Sequence, residues 1–184
     1  MDYDKKIVFR NITFYNYNNN NNQYSNLFVF DFMDKENRST IEFDNCTFNK
    51  VKGIIHNFHI SCEKKGQKTP QVIFRNTKFI NSGIVFLAYH TTQQYNKYNS
   101  LDCFHIVFEN CIFDDINAIG QLVHGDVTFN NCTFNNLKKG SEYSDSLFES
   151  DAENNKVIIK NSKITNIILD NNIPFFELYK SYLM

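Results

Sequence analysis

The chain has 184 residues, a net charge of −1, and 19 Phe and 10 Tyr against no Trp and two Pro. That charge balance leaves no electrostatic footprint for nucleic acid. No run of roughly 18 apolar residues is present, so a helical membrane span is excluded.

The first element is Ile7-Val8-Phe9-Arg10-Asn11-Ile12-Thr13-Phe14. Its pattern, apolar-x-Phe-x-Asn-x-x-Phe, returns at residues 41–48, 72–79, 106–113 and 127–134, and with Ile for Phe at 157–164. A recurring unit of this kind predicts a solenoid, because one repeat buries its apolar side only by stacking on its neighbours. Within each copy apolar and polar residues alternate, the period of a half-buried strand. The Asn interrupts that alternation. It tolerates the left-handed backbone region and suits a sharp bend between two strands. A second short strand carries the next Phe. Third apolar runs follow at residues 27–30, 53–55, 83–87, 118–123, 146–148 and 174–176. Three strands per turn, with the turns stacked in parallel, predict an all-β fold. It is a parallel β-helix of about six coils and roughly 25–30 Å, forming one module over residues 1–184. Met1-Asp2-Tyr3 leads almost directly into the first repeat, which suggests a module excised from a larger repeat protein.

Stacking should produce columns. Asn11, Asn45, Asn76, Asn110, Asn131 and Asn161 form the expected structural ladder, with amides bonding up and down the column. Removing Asn110 or Asn131 from a buried ladder should cost about 1–3 kcal/mol. Phe9, Phe43, Phe74, Phe108, Phe129 and Ile159 form one apolar column; Phe14, Phe48, Phe79, Phe113, Phe134 and Ile164 form another. The residues before the ladder Asn are Arg10, Asp44, Arg75, Glu109, Asn130 and Lys160. Their alternating signs predict ion pairs between turns that also fix register; a charged binding stripe is the alternative.

Ladder spacings of 34, 31, 34, 21 and 30 make the 21-residue turn the minimal one. The others carry loops near residues 17–26, 57–71, 89–104 and 138–156. Insertions of this kind commonly mark the binding side of a solenoid. Tyr89, Tyr95 and Tyr98 cluster in one loop and Tyr143 lies in another; exposed Tyr suits protein interfaces and sugar stacking. These four are the candidate partner-binding residues. Tyr15, Tyr17 and Tyr24 flank the Asn run at 18–22, which reads as a solvated loop tip.

Cys46, Cys111 and Cys132 follow the ladder Asn, where Thr77 and Ser162 stand in other turns. They read as small, buried, free thiols rather than metal ligands. Cys62 and Cys103 lie in loops of consecutive turns, and a disulfide between them is left open. Of the sequons at Asn11, Asn37, Asn45 and Asn131, three belong to the ladder and should be inaccessible, leaving Asn37 as the sensible glycan acceptor. His56-x-x-His59-x-x-Cys62 is a poor metal group, since strand positions three apart point to opposite faces. No metal or other cofactor is expected. Asp114-Asp115 is the acidic pair beside a strand. Its aligned neighbours, Ile80-Asn81 and Asn135-Asn136, bring no second acid, and Asp126 is a weak third candidate. Glycoside cleavage needs facing carboxylates, so no catalytic residues are assigned and the chain is read as a non-enzyme.

The Asn ladder beside aromatic columns resembles the right-handed parallel β-helix, or pectate-lyase-like, superfamily over essentially the whole chain. Its members include lyases, polygalacturonases, adhesins, tailspikes and non-enzymatic surface repeats. The FxNCTFxN repeat style is also similar to β-helical modules of secreted surface proteins and scaffoldins of anaerobic fungi. That resemblance implies a secreted, non-catalytic, cohesin-like module whose partner is a dockerin-type domain on plant-cell-wall-degrading enzymes. The alternative is a β-helix that binds or cleaves polysaccharide.

Overall fold

The computed structural model describes residues 6–17, 26–32, 40–60, 72–88, 105–122, 126–137, 148–150, 156–168, 174–178 and 182–183. Among these there is no helix. All the strands fall into three sheets, and every pairing is parallel.

Sheet A joins β1 (Lys6–Arg10), β4 (Thr40–Asp44), β7 (Val72–Arg75), β10 (His105–Glu109), β13 (Asp126–Asn130), β16 (Lys156–Lys160) and β19 (Tyr182–Leu183). Sheet B joins β2 (Thr13–Tyr15), β5 (Thr47–Asn49), β8 (Lys78–Ile80), β11 (Ile112–Asp114), β14 (Thr133–Asn135) and β17 (Lys163–Thr165). Sheet C joins β3 (Phe28–Phe32), β6 (Gly53–Ile60), β9 (Ile84–Ala88), β12 (Ala118–Leu122), β15 (Phe148–Ser150) and β18 (Phe176–Leu178). The chain therefore visits A, B and C in turn, each visit adding one strand beside the last. This is consistent with a parallel β-helix, and one A–B–C passage is called a tier below.

The repeat register holds in sheet A. Ile7 pairs with Ile41, Phe9 with Phe43 and Arg10 with Asp44; Phe43 pairs with Phe74, Phe74 with Phe108, and Phe108 with Phe129. Aromatic rings stack accordingly. Phe9, Phe43, Phe74, Phe108 and Phe129 lie 4.9–5.0 Å apart and within 12° of parallel. Phe14, Phe48, Phe79, Phe113 and Phe134 repeat this on sheet B at 4.7–5.4 Å. The two columns meet edge to face, as at Phe74 and Phe79, where the ring centroids are 5.2 Å apart at 74°. Both geometries are favourable aromatic arrangements. From Phe43 to Phe134 these rings are fully buried and form the core.

Sheet C contributes Phe28, Ile55, Phe86, Gly120, Phe148 and Phe176 in register. The glycine has a packing reason. A Cβ at Gly120 would stand 2.7 Å from three ring atoms of Phe86. Phe86 and Phe148 belong to the tiers on either side of Gly120, yet their centroids are 6.0 Å apart, so the rings use the space a side chain would have filled.

Two corners close each tier. At the A–B corner Asn11, Asn45, Asn76, Asn110, Asn131 and Asn161 adopt φ of 51–59°, the left-handed bend expected of them. The next residue, Cys46, Thr77, Cys111, Cys132 or Ser162, turns toward the core. Thr77 Oγ1 donates to the Phe43 and Arg75 carbonyls, and Cys111 Sγ to the Phe74 and Glu109 carbonyls. Cys46, Cys111 and Cys132 are buried free thiols.

The B–C corner was not foreseen. Five residues after each ladder Asn stands a second left-handed residue, in the series Asn16, Lys50, Asn81, Asp115, Asn136 and Asn166, with φ of 48–57°.

Candidate functional site

The expected ladder is present but differs from the expectation in two respects. It is exposed, not buried: all six Asn of the A–B corner are solvent-accessible. A left-handed bend directs the corner side chain outward and the following one inward, so the amides line an outer seam. The ladder sequons at Asn11, Asn45 and Asn131 are therefore not hidden by burial. The ladder is also discontinuous. Nδ2 of Asn45 donates to Oδ1 of Asn11 at 2.8 Å, Asn110 to Asn76 at 3.2 Å, and Asn131 to Asn110 at 2.8 Å. Asn76 donates instead to Asp44 Oδ1 and Asn161 to Asn130 Oδ1, each one residue before the ladder position. In all five cases the amide donates toward the tier nearer residue 6.

The charged positions beside the ladder form ion pairs between tiers. Arg10 meets Asp44 at 3.0 Å and Arg75 meets Glu109 at 2.7 Å. Arg75 does not continue the series to Asp44; it reaches Glu42 at 2.7 Å, which Lys6 also contacts at 2.9 Å. Glu42 lies on the outer side of β4 yet is buried. Burial works to raise its pKa, but hydrogen bonds and charge from Lys6 and Arg75 outweigh that and hold the carboxyl below its ordinary value. Arg75 thus ties three strands of sheet A together.

The proposed acidic pair is placed as the register predicted. Asp114 lies between Ile80 and Asn135, with no acid opposite on either side. Its Oδ1 accepts from Asn135 Nδ2 at 3.0 Å and Asn136 Nδ2 at 2.8 Å. Asp126 Oδ1 accepts from the Lys156 backbone N–H at 3.0 Å. These carboxylates hold neighbouring tiers together. His56 is buried in β6, and desolvation lowers its pKa, favouring the neutral ring. Among the described residues no group of three His, Cys, Asp or Glu gathers around one point. Burial raises the pKa of Cys46 and lifts that of Cys111 well above the ordinary thiol range, which disfavours the reactive thiolate.

Among the described residues, concavities lie along the B–C corner. A cleft of about 410 Å³ is lined by Asn16, Lys50, Lys52, Asn81, Asp115 and Asn117, with Val51, Ser82 and Gly83 at its base. A second, of about 380 Å³, adds Asp114, Asn136 and Ile168 and shares Asn81 and Asp115 with the first. The two run on from one another past successive tiers. Lys50 Nζ lies 5.7 Å from the Tyr15 ring centroid, within cation–π range. Sequence reasoning missed this groove because Lys50 and Asp115 interrupt the second Asn series; the constant five-residue offset from the first ladder is the signal that locates it. The groove offers amide, ammonium and carboxylate groups to a polar ligand.

Tyr89, Tyr95, Tyr98 and Tyr143 lie outside the described residues, as do Tyr24, Asn37, Cys62, Cys103 and the side chain of His59. No protein-family model matches the chain, and no curated protein matches it either.

Proposed function

We propose that this protein is a secreted, non-catalytic binding module built on a right-handed parallel β-helix of about six coils. The observation that supports binding over catalysis is how the carboxylates are used. Asp44, Glu42, Glu109, Asp114 and Asp126 each accept from a group on a neighbouring strand or corner, while the described residues of the B–C corner form a polar groove. The finer reading, a cohesin-like module that recruits dockerin-bearing wall-degrading enzymes, rests on the repeat style of the sequence. Immobilised protein should retain, from secreted wall-degrading enzymes, those that share a small accessory domain. Retention of none, or retention of enzymes lacking any shared domain, would remove the scaffold reading.

The groove favours one second reading, a polysaccharide-binding surface, because amides and charged groups recur along it from tier to tier. In that case binding to a soluble polysaccharide panel should weaken on Lys50→Ala or Asn81→Ala. Turnover lost on Asp115→Asn would move the protein to the enzymes.

A further inference from the structure

The B–C corner departs from its own pattern at one residue. Of the twelve described non-glycine residues with positive φ, ten are Asn and one is Asp. The twelfth is Lys50, at φ 56°. Asn and Asp enter the left-handed region readily, whereas a lysine there is strained. Strain of this kind collects at functional sites, where stability is given up for the placing of a side chain. Lys50 gains such a place. It lines the cleft of about 410 Å³, and its ammonium lies 5.7 Å from the Tyr15 ring centroid.

A missing side chain shapes the cleft. Lys52, Gly83 and Asn117 hold equivalent positions on successive tiers, where their N–H groups donate to the Tyr17, Val51 and Ser82 carbonyls at 3.0, 2.9 and 3.0 Å. A Cβ at Gly83 would stand 1.8 Å from the Lys52 carbonyl oxygen. The middle position is therefore held bare, which leaves a notch between Lys52 and Asn117. Ser82 fixes the floor, its hydroxyl 2.9 Å from the Ile80 carbonyl and 3.3 Å from the Val51 N–H. Val51 is buried and points inward, so Lys50 and Lys52 on either side of it both face the cleft.

The two walls differ in charge. Both ammonium groups belong to the tier of β5, with the amides of Asn16 and Asn81 on the tiers beside it. Asp115 and Asn117 line the opposite wall two tiers on, about 10 Å along the axis at the spacing of paired strands.

We propose that this notch binds a sugar unit carrying a phosphomonoester, with the phosphoryl group between Lys50 and Lys52 and the sugar hydroxyls on Asn81, Asn117 and Asp115. A phosphomonoester carries close to two negative charges at neutral pH and accepts at three oxygens. Two lysines match that charge, and lysine binds phosphate as a point charge. A carboxylate, with one charge, leaves the second ammonium unmatched. Asp115 sets the direction of the ligand, since its carboxylate accepts from hydroxyls and repels a phosphoryl group at that wall. The cleft has the size of a small-molecule site. The proposal rests on the polysaccharide reading of the groove and narrows its ligand; the scaffold reading does not enter it.

The test titrates the full chain with glucose 6-phosphate, glucose, glucuronate and inorganic phosphate by isothermal calorimetry. Glucose 6-phosphate should bind at least about tenfold more tightly than each of the others, and more weakly as salt rises. Lys50→Asn is the decisive variant. It relieves the left-handed strain, so it should raise the unfolding midpoint while lowering affinity for glucose 6-phosphate at least about tenfold. A loss of binding in a more stable protein is not a folding defect. Inorganic phosphate or glucuronate bound as tightly as glucose 6-phosphate would mark an adventitious anion only and overturn the proposal. Equal binding of glucose, no binding at all, or affinity untouched by Lys50→Asn would also overturn it. A neutral soluble glucan that binds, and is lost on Asn81→Ala, while glucose 6-phosphate does not bind would overturn the phosphoryl assignment and leave the polysaccharide reading standing. Failure of both ligands would remove the two together.

Discussion

Replacing Gly120 with alanine adds one methyl group at a place where the core has already used the space. The new Cβ would stand 2.7 Å from three atoms of the Phe86 ring, whereas ordinary contact begins at 3.4 Å. The ring must retreat by several tenths of an ångström. It is fully buried, and Phe108 and Phe148 each lie with centroids 6.0 Å from it. Overpacking of this kind costs about 1–3 kcal/mol. The reduced freedom of the unfolded chain returns about 0.4–1 kcal/mol, so a net loss of about 1–2 kcal/mol is expected. Urea unfolding followed by circular dichroism measures it. Phe86→Leu in the alanine background should recover part of the loss and give a coupling energy in a double-mutant cycle. An alanine variant as stable as the parent, or losses that simply add, would refute the packing argument.

The exposed ladder predicts a conformational cost. Asn110 has φ 55°, so Asn110→Ala should lose about 1–2 kcal/mol to left-handed strain, while Asn110→Gly loses much less; equal losses would instead point to the amide bonds. Lys50, at φ 56°, is the converse case, and Lys50→Asn or Lys50→Gly should raise the unfolding midpoint. Acid should act in two stages. His56 binds its proton less readily in the folded state, so stability begins to fall as pH drops past the unfolded value of 6.5. Glu42, held below its ordinary 4.5, contributes stability that is lost as pH falls below that value through its folded pKa. Glu42→Gln should flatten only the lower stage of a stability–pH curve; an unchanged curve would contradict the double ion pair. Cys46, Cys111 and Cys132 should resist a thiol reagent in the native protein and react in denaturant. Cys111→Ser should be tolerated, since Thr77 and Ser162 make the same bonds to carbonyls two residues back; rapid native labelling of all three would show that the column opens.

The strand order was legible because three independent signals coincide in each repeat: alternation, Asn at the bend and Phe in register. Phe9, Phe43, Phe74, Phe108 and Phe129 needed only alignment to be placed in one column. Burial of the ladder was misjudged because Asn was treated as a hydrogen-bonding core residue. The left-handed corner instead gives the inward position to its successor, which is why Cys, Thr and Ser recur there. The ion pairs followed the charge alternation for Arg10–Asp44 and Arg75–Glu109. Glu42 broke the series, since a residue two positions back on the same face competes for Arg75, and sequence order alone does not rank the two acids. The groove was illegible for a similar reason. Its column accepts any residue that tolerates the bend, so Lys50 and Asp115 hide a periodicity that the backbone keeps.

The uniform direction of the Asn amides bears on symmetry. Every described rung donates toward the tier nearer residue 6, so the seam is a vector with a donor end and an acceptor end. A two-fold axis through either end would set donors against donors or acceptors against acceptors. Closed, isologous pairing through the ends is therefore disfavoured, and growth along the axis can only be heterologous. Polymerisation is the hazard of such a geometry.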